Sequence, residues 1–209
     1  MKRKIRVLIV DDHAVMRLGL AEAIDGERDM AMVAEAANGA QAIEHYRRHR
    51  PDVVTMDFQL PGDDGAEITR KLRAEFPEAR VVILSVFEGE EDIWRAVSAG
   101  ALGYVLKSAD VEDVIEAIRH IFGGDTYFPA AISAKLSMRQ TRESLTDREL
   151  KVLREIVGGR TNKEISAALS MSEALVKLEI SNTLAKLGVA DRTQAAVVAV
   201  QRGIIHLEA

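Results

Sequence analysis

Residues 5–13 read IRVLIVDDH, and residues 53–57 read VVTMD. In both stretches a short run rich in β-branched residues ends on acid: Ile5–Val10 runs into Asp11-Asp12-His13, and residues 53–56 run into Asp57. If the two runs are neighbouring parallel strands, three carboxylates from distant sequence meet at the carboxyl edge of the sheet. Open α/β folds place their sites at that edge.

Working outward, three more runs of the same kind lie at residues 31–36, 81–84 and 103–106. The segments between the runs carry apolar residues at helical spacing, such as Ile68, Leu72 and Phe76, or Val111, Val114, Ile115 and Ile118. Strands alternating with such helices imply a parallel sheet covered on both faces. Five of them predict a flavodoxin-like, doubly wound α/β domain over residues 1–122. Asn38-Gly39, Pro61-Gly62 and Gly123-Gly124 punctuate the segments as turns.

Beyond Gly124 the pattern changes. Residues 123–144 hold Pro129 and several Ser and Thr, and read as a linker with one short helix. Residues 145–209 lack strand signals. Thr146 with Glu149 forms a capping-box start for a helix Asp147–Val157, which Gly158-Gly159 stops. Further helices are predicted at Asn162–Leu169, 172–187 and 191–202, making an all-α domain of four short helices.

Composition sets the class. The 209 residues are 47 % apolar and 29 % charged, as in an ordinary globular protein. No apolar stretch is long enough to span a bilayer, and Met-Lys-Arg-Lys leads straight into a strand without the apolar core of a signal peptide. A cytoplasmic location is expected, with no membrane partner. The absence of cysteine excludes disulfides, thiol catalysis and cysteine zinc sites. Net charge is unevenly spread, −7 over residues 1–122 and +2 over residues 123–209, so the second domain is the better placed to approach a polyanion.

Asp11, Asp12 and Asp57 are hard oxygen donors of the kind Mg²⁺ takes alongside phosphate oxygens. A bound divalent ion would relieve their mutual repulsion. Asp57 is also a possible nucleophile, because carboxylates form acyl phosphates. Lys107 and Ser85, each at the end of a later run, are placed to meet the phosphoryl oxygens. His13, at the start of a helix, reads as a capping or surface residue before it reads as a ligand. Asp63 and Asp64 read as a solvated loop, with Gly65 allowing the turn. A haloacid-dehalogenase-like phosphatase would need a second aspartate two residues after the nucleophile, where Gln59 stands. The domain is therefore expected to accept phosphate rather than to act as an enzyme.

At these residues the chain resembles the response-regulator receivers of two-component signalling, across residues 5–121. Asp11-Asp12 matches the acidic pair and Asp57 the phospho-accepting aspartate. Ser85 matches the switch hydroxyl, Tyr104 the switch aromatic and Lys107 the lysine of the last strand. The resemblance implies Mg²⁺ held by Asp11, Asp12, Asp57 and the backbone carbonyl of Gln59, and a histidine kinase as phosphoryl donor. Residues 145–203 resemble the LuxR-type helix-turn-helix through LTDRE at 145–149, TNKEI at 161–165 and LGV at 187–189. Together the two halves have the layout of the NarL/FixJ family. That layout implies a transcription regulator acting on double-stranded promoter DNA, as a homodimer when phosphorylated, on a two-fold site.

In such a motif the second helix enters the major groove. By resemblance Lys177 is the leading DNA contact, Leu178 and Ser181 are candidate base contacts, and Lys163 and Asn162 are phosphate contacts. Asn162 also reads as a helix cap. On a helical wheel Val176, Ile180, Leu184 and Leu187 face the core, while Leu175, Leu178, Asn182 and Ala185 face outward. Leu175 and Glu179 replace the family's threonine and histidine. An acid near phosphates and exposed leucines motivate a rival reading, a phosphorylation-controlled protein whose helical domain has turned to protein partners.

Overall fold

The computed structural model describes residues 3–62 and 64–207. The chain divides into two compact units, one running to Glu88 and including Ile93–Ala134, the other comprising Gly89–Asp92 and the chain from Lys135 onward.

The first part of the chain alternates strands and helices: β1 (Ile5–Val10), α1 (Ala14–Gly26), β2 (Met30–Ala36), α2 (Gly39–His49), β3 (Val53–Asp57), α3 (Gly65–Glu75), β4 (Val81–Ser85), α4 (Glu90–Ser98), β5 (Gly103–Leu106) and α5 (Val111–Gly123). Its five strands form one sheet in the order β2-β1-β3-β4-β5, every neighbouring pair parallel. This is the predicted doubly wound arrangement. From β1 the chain steps outward to β2 and then returns to the other side of β1 as β3, so the switch point lies between β1 and β3.

β3, β4 and β5 are buried on both faces or nearly so, which is why they read as unbroken apolar runs. One core layer packs Val7, Ile9, Val53, Val82 and Val105 against Leu20 and Ile24 of α1 and Ile118 and Ile121 of α5. Each such side chain contributes about 1.5–3 kcal/mol by leaving water. Two strands run one residue further than the sequence pattern indicates. Asp57 and Ser85 remain in register with Leu84 and Leu106 respectively, so the ladder carries both polar residues to the sheet's edge.

The segment after α5 is not a featureless linker. Tyr127 donates its N–H to the Leu102 carbonyl (2.9 Å) and its carbonyl accepts from Tyr104 N–H (3.1 Å). This single-residue parallel bridge covers part of the outer edge of β5. α6 (Ala130–Gln140) follows as the one helix expected there.

α7 (Asp147–Val157), α8 (Asn162–Leu169), α9 (Glu173–Leu187) and α10 (Arg192–Gln201) make up the four-helix domain. Thr146 forms the predicted capping box with Glu149, and Thr161 forms a second with Glu164. Two apolar clusters hold the helices together: Leu153, Leu187, Ala195 and Ala199 in one, Val152, Ile156, Ile165 and Val176 in the other.

Candidate functional site

Register alone brings the acidic residues together. Val10 of β1 pairs with Met56 of β3, so Asp11 and Asp57, each one residue further along, emerge side by side. Asp57 is also level with Leu84 of β4, and Ser85 with Leu106 of β5, which sets Ser85 and Lys107 on the same edge. Asp12, Asp57, Ser85 and Lys107 line one cleft of about 380 Å³, together with His13, Gln59, Leu60, Pro61, Val86 and Phe87.

Asp11 and Asp57 are almost wholly buried, whereas Asp12 opens to solvent. Lys107 Nζ donates to Asp57 Oδ2 at 2.7 Å. It also stands 2.7 Å from Asp11 Oδ2, so one ammonium bridges the two buried carboxylates. The other oxygen of each acid is taken by the local backbone: Gln59 N–H donates to Asp57 Oδ1 (3.1 Å) and His13 N–H to Asp11 Oδ1 (2.8 Å). Burial pushes the Asp57 carboxyl above its ordinary range, against the opposing pull of Lys107 and the Gln59 N–H. Burial would by itself lower the Lys107 ammonium, but Asp11 and Asp57 hold it above its ordinary value. Lys107 is therefore a fixed cation at neutral pH.

One ligand atom each from Asp11, Asp12, His13 and Asp57 lies within 4.8 Å of the others. Three carboxylates so close, all hard oxygen donors, fit a small divalent cation. Ser85 Oγ accepts from Phe87 N–H (2.9 Å), and Tyr104 is fully buried with its hydroxyl donating to the Phe87 carbonyl (2.9 Å). Both candidate switch residues thus converge on one backbone segment beside the cleft.

Two local readings change, those of His13 and Asp64. His13 holds the N-cap position of α1 but makes no side-chain capping bond; its Nδ1 lies 2.7 Å from Asp12 Oδ1. Asp64 is not simply a solvated loop residue: it caps α3 by accepting from Glu67 N–H (2.8 Å) and pairs with Arg95. Asp63 lies outside the described residues. Gly65 is required by space, since a Cβ there would sit 2.1 Å from the Asp57 carbonyl oxygen. Arg17 is a residue the motifs did not single out. From the second turn of α1 it donates to the carbonyls of Asp11 (2.8 Å) and Asp12 (3.2 Å), clamping the loop that carries both acids. Its only sequence signal is its position four residues after His13.

In the helical domain Ser172 caps α9, accepting from Leu175 N–H (3.3 Å). Lys177, Leu178 and Ser181 are all exposed on α9, and Lys163 is exposed at the start of α8. Asn162 is the first helical residue and the cap is Thr161, so Asn162 is not a capping residue. Glu179 is only 8 % exposed and Thr183 is fully buried, so they share the core face with Val176 and Leu187. An acid in that position does not face a phosphate backbone. Leu175 is half-buried, which removes a further part of the case for a surface turned over to protein partners.

Comparison with known proteins agrees with this geometry. The family described as the response regulator receiver domain matches residues 7–119, and that of bacterial regulatory proteins of the luxR family matches residues 143–199. The response regulator protein VraR of Staphylococcus epidermidis is 34 % identical over 97 % of this chain and 99 % of its own. The crystal structure of the response regulator ChrA, from a heme-sensing two-component system, is 36 % identical, covers 98 % of this chain and 100 % of its own, and superposes with a TM-score of 0.58. A LuxR-family response regulator from Aurantimonas is 35 % identical over 66 % of this chain and 99 % of its own, with a TM-score of 0.63. Among the described residues, no helix is long and apolar enough to cross a membrane.

Proposed function

Because this chain belongs to the two-component response regulators that join a receiver to a LuxR-type DNA-binding domain, and so controls transcription, we propose that Asp57 is its phospho-acceptor. The observation that carries the proposal is the Lys107 ammonium held between Asp57 and Asp11 in an otherwise acidic cleft. An Asp57 oxygen attacks the phosphorus of a phosphohistidine on the partner kinase. The P–O bond forms as the P–N bond breaks, leaving an acyl phosphate on Asp57 and a free imidazole. Lys107 then pairs with the phosphoryl oxygens. Ser85 turns its hydroxyl toward them, which frees Phe87 N–H and with it the segment that the Tyr104 hydroxyl grips.

Asp11, Asp12, Asp57 and the Gln59 carbonyl would hold Mg²⁺, which when bound neutralises charge on the transferring phosphoryl oxygens. The protein is a cytoplasmic phospho-acceptor rather than an enzyme. When phosphorylated it acts as a homodimer and reads a two-fold promoter site. Lys177, Leu178 and Ser181 face the major groove, and Lys163 and Asn162 lie near the phosphates.

Two measurements test this reading. Incubation with acetyl phosphate and Mg²⁺ adds one phosphoryl group by intact mass, and Asp57→Asn abolishes it; equal labelling of the variant would show the acceptor to be elsewhere. Lys177→Ala weakens binding to promoter DNA, and Lys163→Ala lowers the slope of log K against log salt by roughly one, as loss of a single phosphate-neutralising cation should. Unchanged affinity would remove Lys177 from the interface, and an unchanged slope would remove Lys163.

A further inference from the structure

The imidazole of His13 is unexplained by its position in the fold. It occupies the N-cap of α1, where a side chain ordinarily accepts from the first turn, yet it makes no such bond. The side chain is 73 % exposed, so packing does not hold it either. It is turned instead to the acids, with Nδ1 2.7 Å from Asp12 Oδ1 and 3.4 Å from Asp11 Oδ1. Its backbone is tied to the same cluster, because His13 N–H donates to Asp11 Oδ1. The cluster also holds the buried Asp11 Oδ2, which Lys107 Nζ approaches to 2.7 Å.

We infer that His13 is a further protein ligand to the divalent cation of the acidic cleft, and that its nitrogen shifts the site's preference from Mg²⁺ toward Mn²⁺ and the later first-row cations. The inference rests on the proposal that Asp11, Asp12 and Asp57 hold a cation. Ligand atoms of all four residues lie within 4.8 Å of one another, so one ion is within reach of the whole set. Mg²⁺ demands oxygen and keeps its waters. Imidazole suits softer cations, whose affinity for a given nitrogen and oxygen site rises along the series from Mn²⁺ to Cu²⁺. An all-carboxylate cleft discriminates little on this basis, and one nitrogen donor changes that.

The test uses the full-length protein and its His13→Ala variant, with Mn²⁺ and Mg²⁺ as the probes. Mn²⁺ bound to the unmodified protein should show a directly coordinated imidazole nitrogen in pulsed electron paramagnetic resonance, and the variant should lose that coupling. In competition titrations the ratio of Mn²⁺ to Mg²⁺ affinity should fall at least about fivefold in the variant, the direction set by removing a nitrogen donor. The His45–His49 pair on α2, whose rings lie 6.0 Å apart, is intact in both proteins, so a difference between them reports on His13. Cation binding that Asp12→Asn weakens, but with no nitrogen coupling and an equal affinity ratio in the His13→Ala variant, overturns this inference and leaves the carboxylate site standing. Failure of either cation to bind the unmodified protein overturns both.

Discussion

At the scale of the residue, Asp57 carries a conflict between stability and function. Burial holds its carboxyl above the ordinary value of 3.8, and Lys107 offsets this only in part. A group whose folded-state pKa lies above its unfolded value contributes stability that is complete below the unfolded pKa and is lost as pH rises through the folded pKa. Above the folded pKa that contribution is gone, and the folded state carries a buried carboxylate at some cost. Asp57→Asn, which cannot ionise, should therefore gain in melting temperature relative to the parent as pH rises above 3.8. Calorimetry over that range decides the point; a variant that loses ground to the parent as pH rises would mean that the Lys107 pair outweighs burial. The acid pair, Asp57, Ser85 and Lys107 were all legible in the sequence, because each ends or follows an apolar run and strand ends converge. Arg17 was not, since a side chain bonded to carbonyl oxygens leaves no pattern of residue types.

At the scale of the element, the helical domain depends on its N-termini. Thr161 N–H donates to Glu164 Oε2 (2.7 Å) while Thr161 Oγ1 accepts from Glu164 N–H (3.4 Å), closing the start of α8, which is only eight residues long. Isolated helices of that length are marginal in water, so the cap and the packing of Ile165 have to hold it. Thr161→Ala should cost about 1 kcal/mol, visible as a lower urea midpoint with unchanged slope. Thr161→Ser should recover most of that loss; equal losses in both variants would locate the effect in the lost methyl group instead. Glu149 is tied more tightly, accepting from Thr146 N–H (2.7 Å) and from Lys186 of α9 (2.9 Å), which links the cap of one helix to the last turn of another. The Thr146 box was read from spacing, whereas at α8 the sequence reading offered Asn162 as a cap and the box is made by Thr161 and Glu164. The buried face of α9 was not readable from spacing: the wheel centred it on Val176, Ile180, Leu184 and Leu187, whereas Glu179 and Thr183 are buried and Ile180 and Leu184 lie at its margin. A polar residue inside a packed face is decided by its neighbours in space, among them the Glu179 carbonyl that accepts from Thr183 Oγ1 (2.7 Å), and periodicity cannot supply those.

At the scale of the whole molecule, three apolar clusters among the described residues draw on two separate stretches of the chain. The receiver cluster draws its buried members from Ile5 to Ile121, and the two helical clusters draw theirs from Val152 to Ile205, with no residue in common. Stability lost in one core therefore need not pass to the other. Ile156 of α7, buried against α8 and α9, is the residue to remove, because Ile156→Ala opens a cavity costing roughly 2–5 kcal/mol without touching the acidic cleft. Hydrogen exchange followed by mass spectrometry should show faster exchange in α7, α8 and α9, while the amides of β1, β3 and β4 keep their protection. Labelling of Asp57 by acetyl phosphate should proceed as in the parent protein. Equal acceleration of exchange in the central strands would instead mean that the two cores unfold as one cooperative unit. In that case a phosphoryl group on Asp57 would act on the DNA-binding helices through global stability, rather than through the Ser85 and Tyr104 contacts to the Phe87 segment.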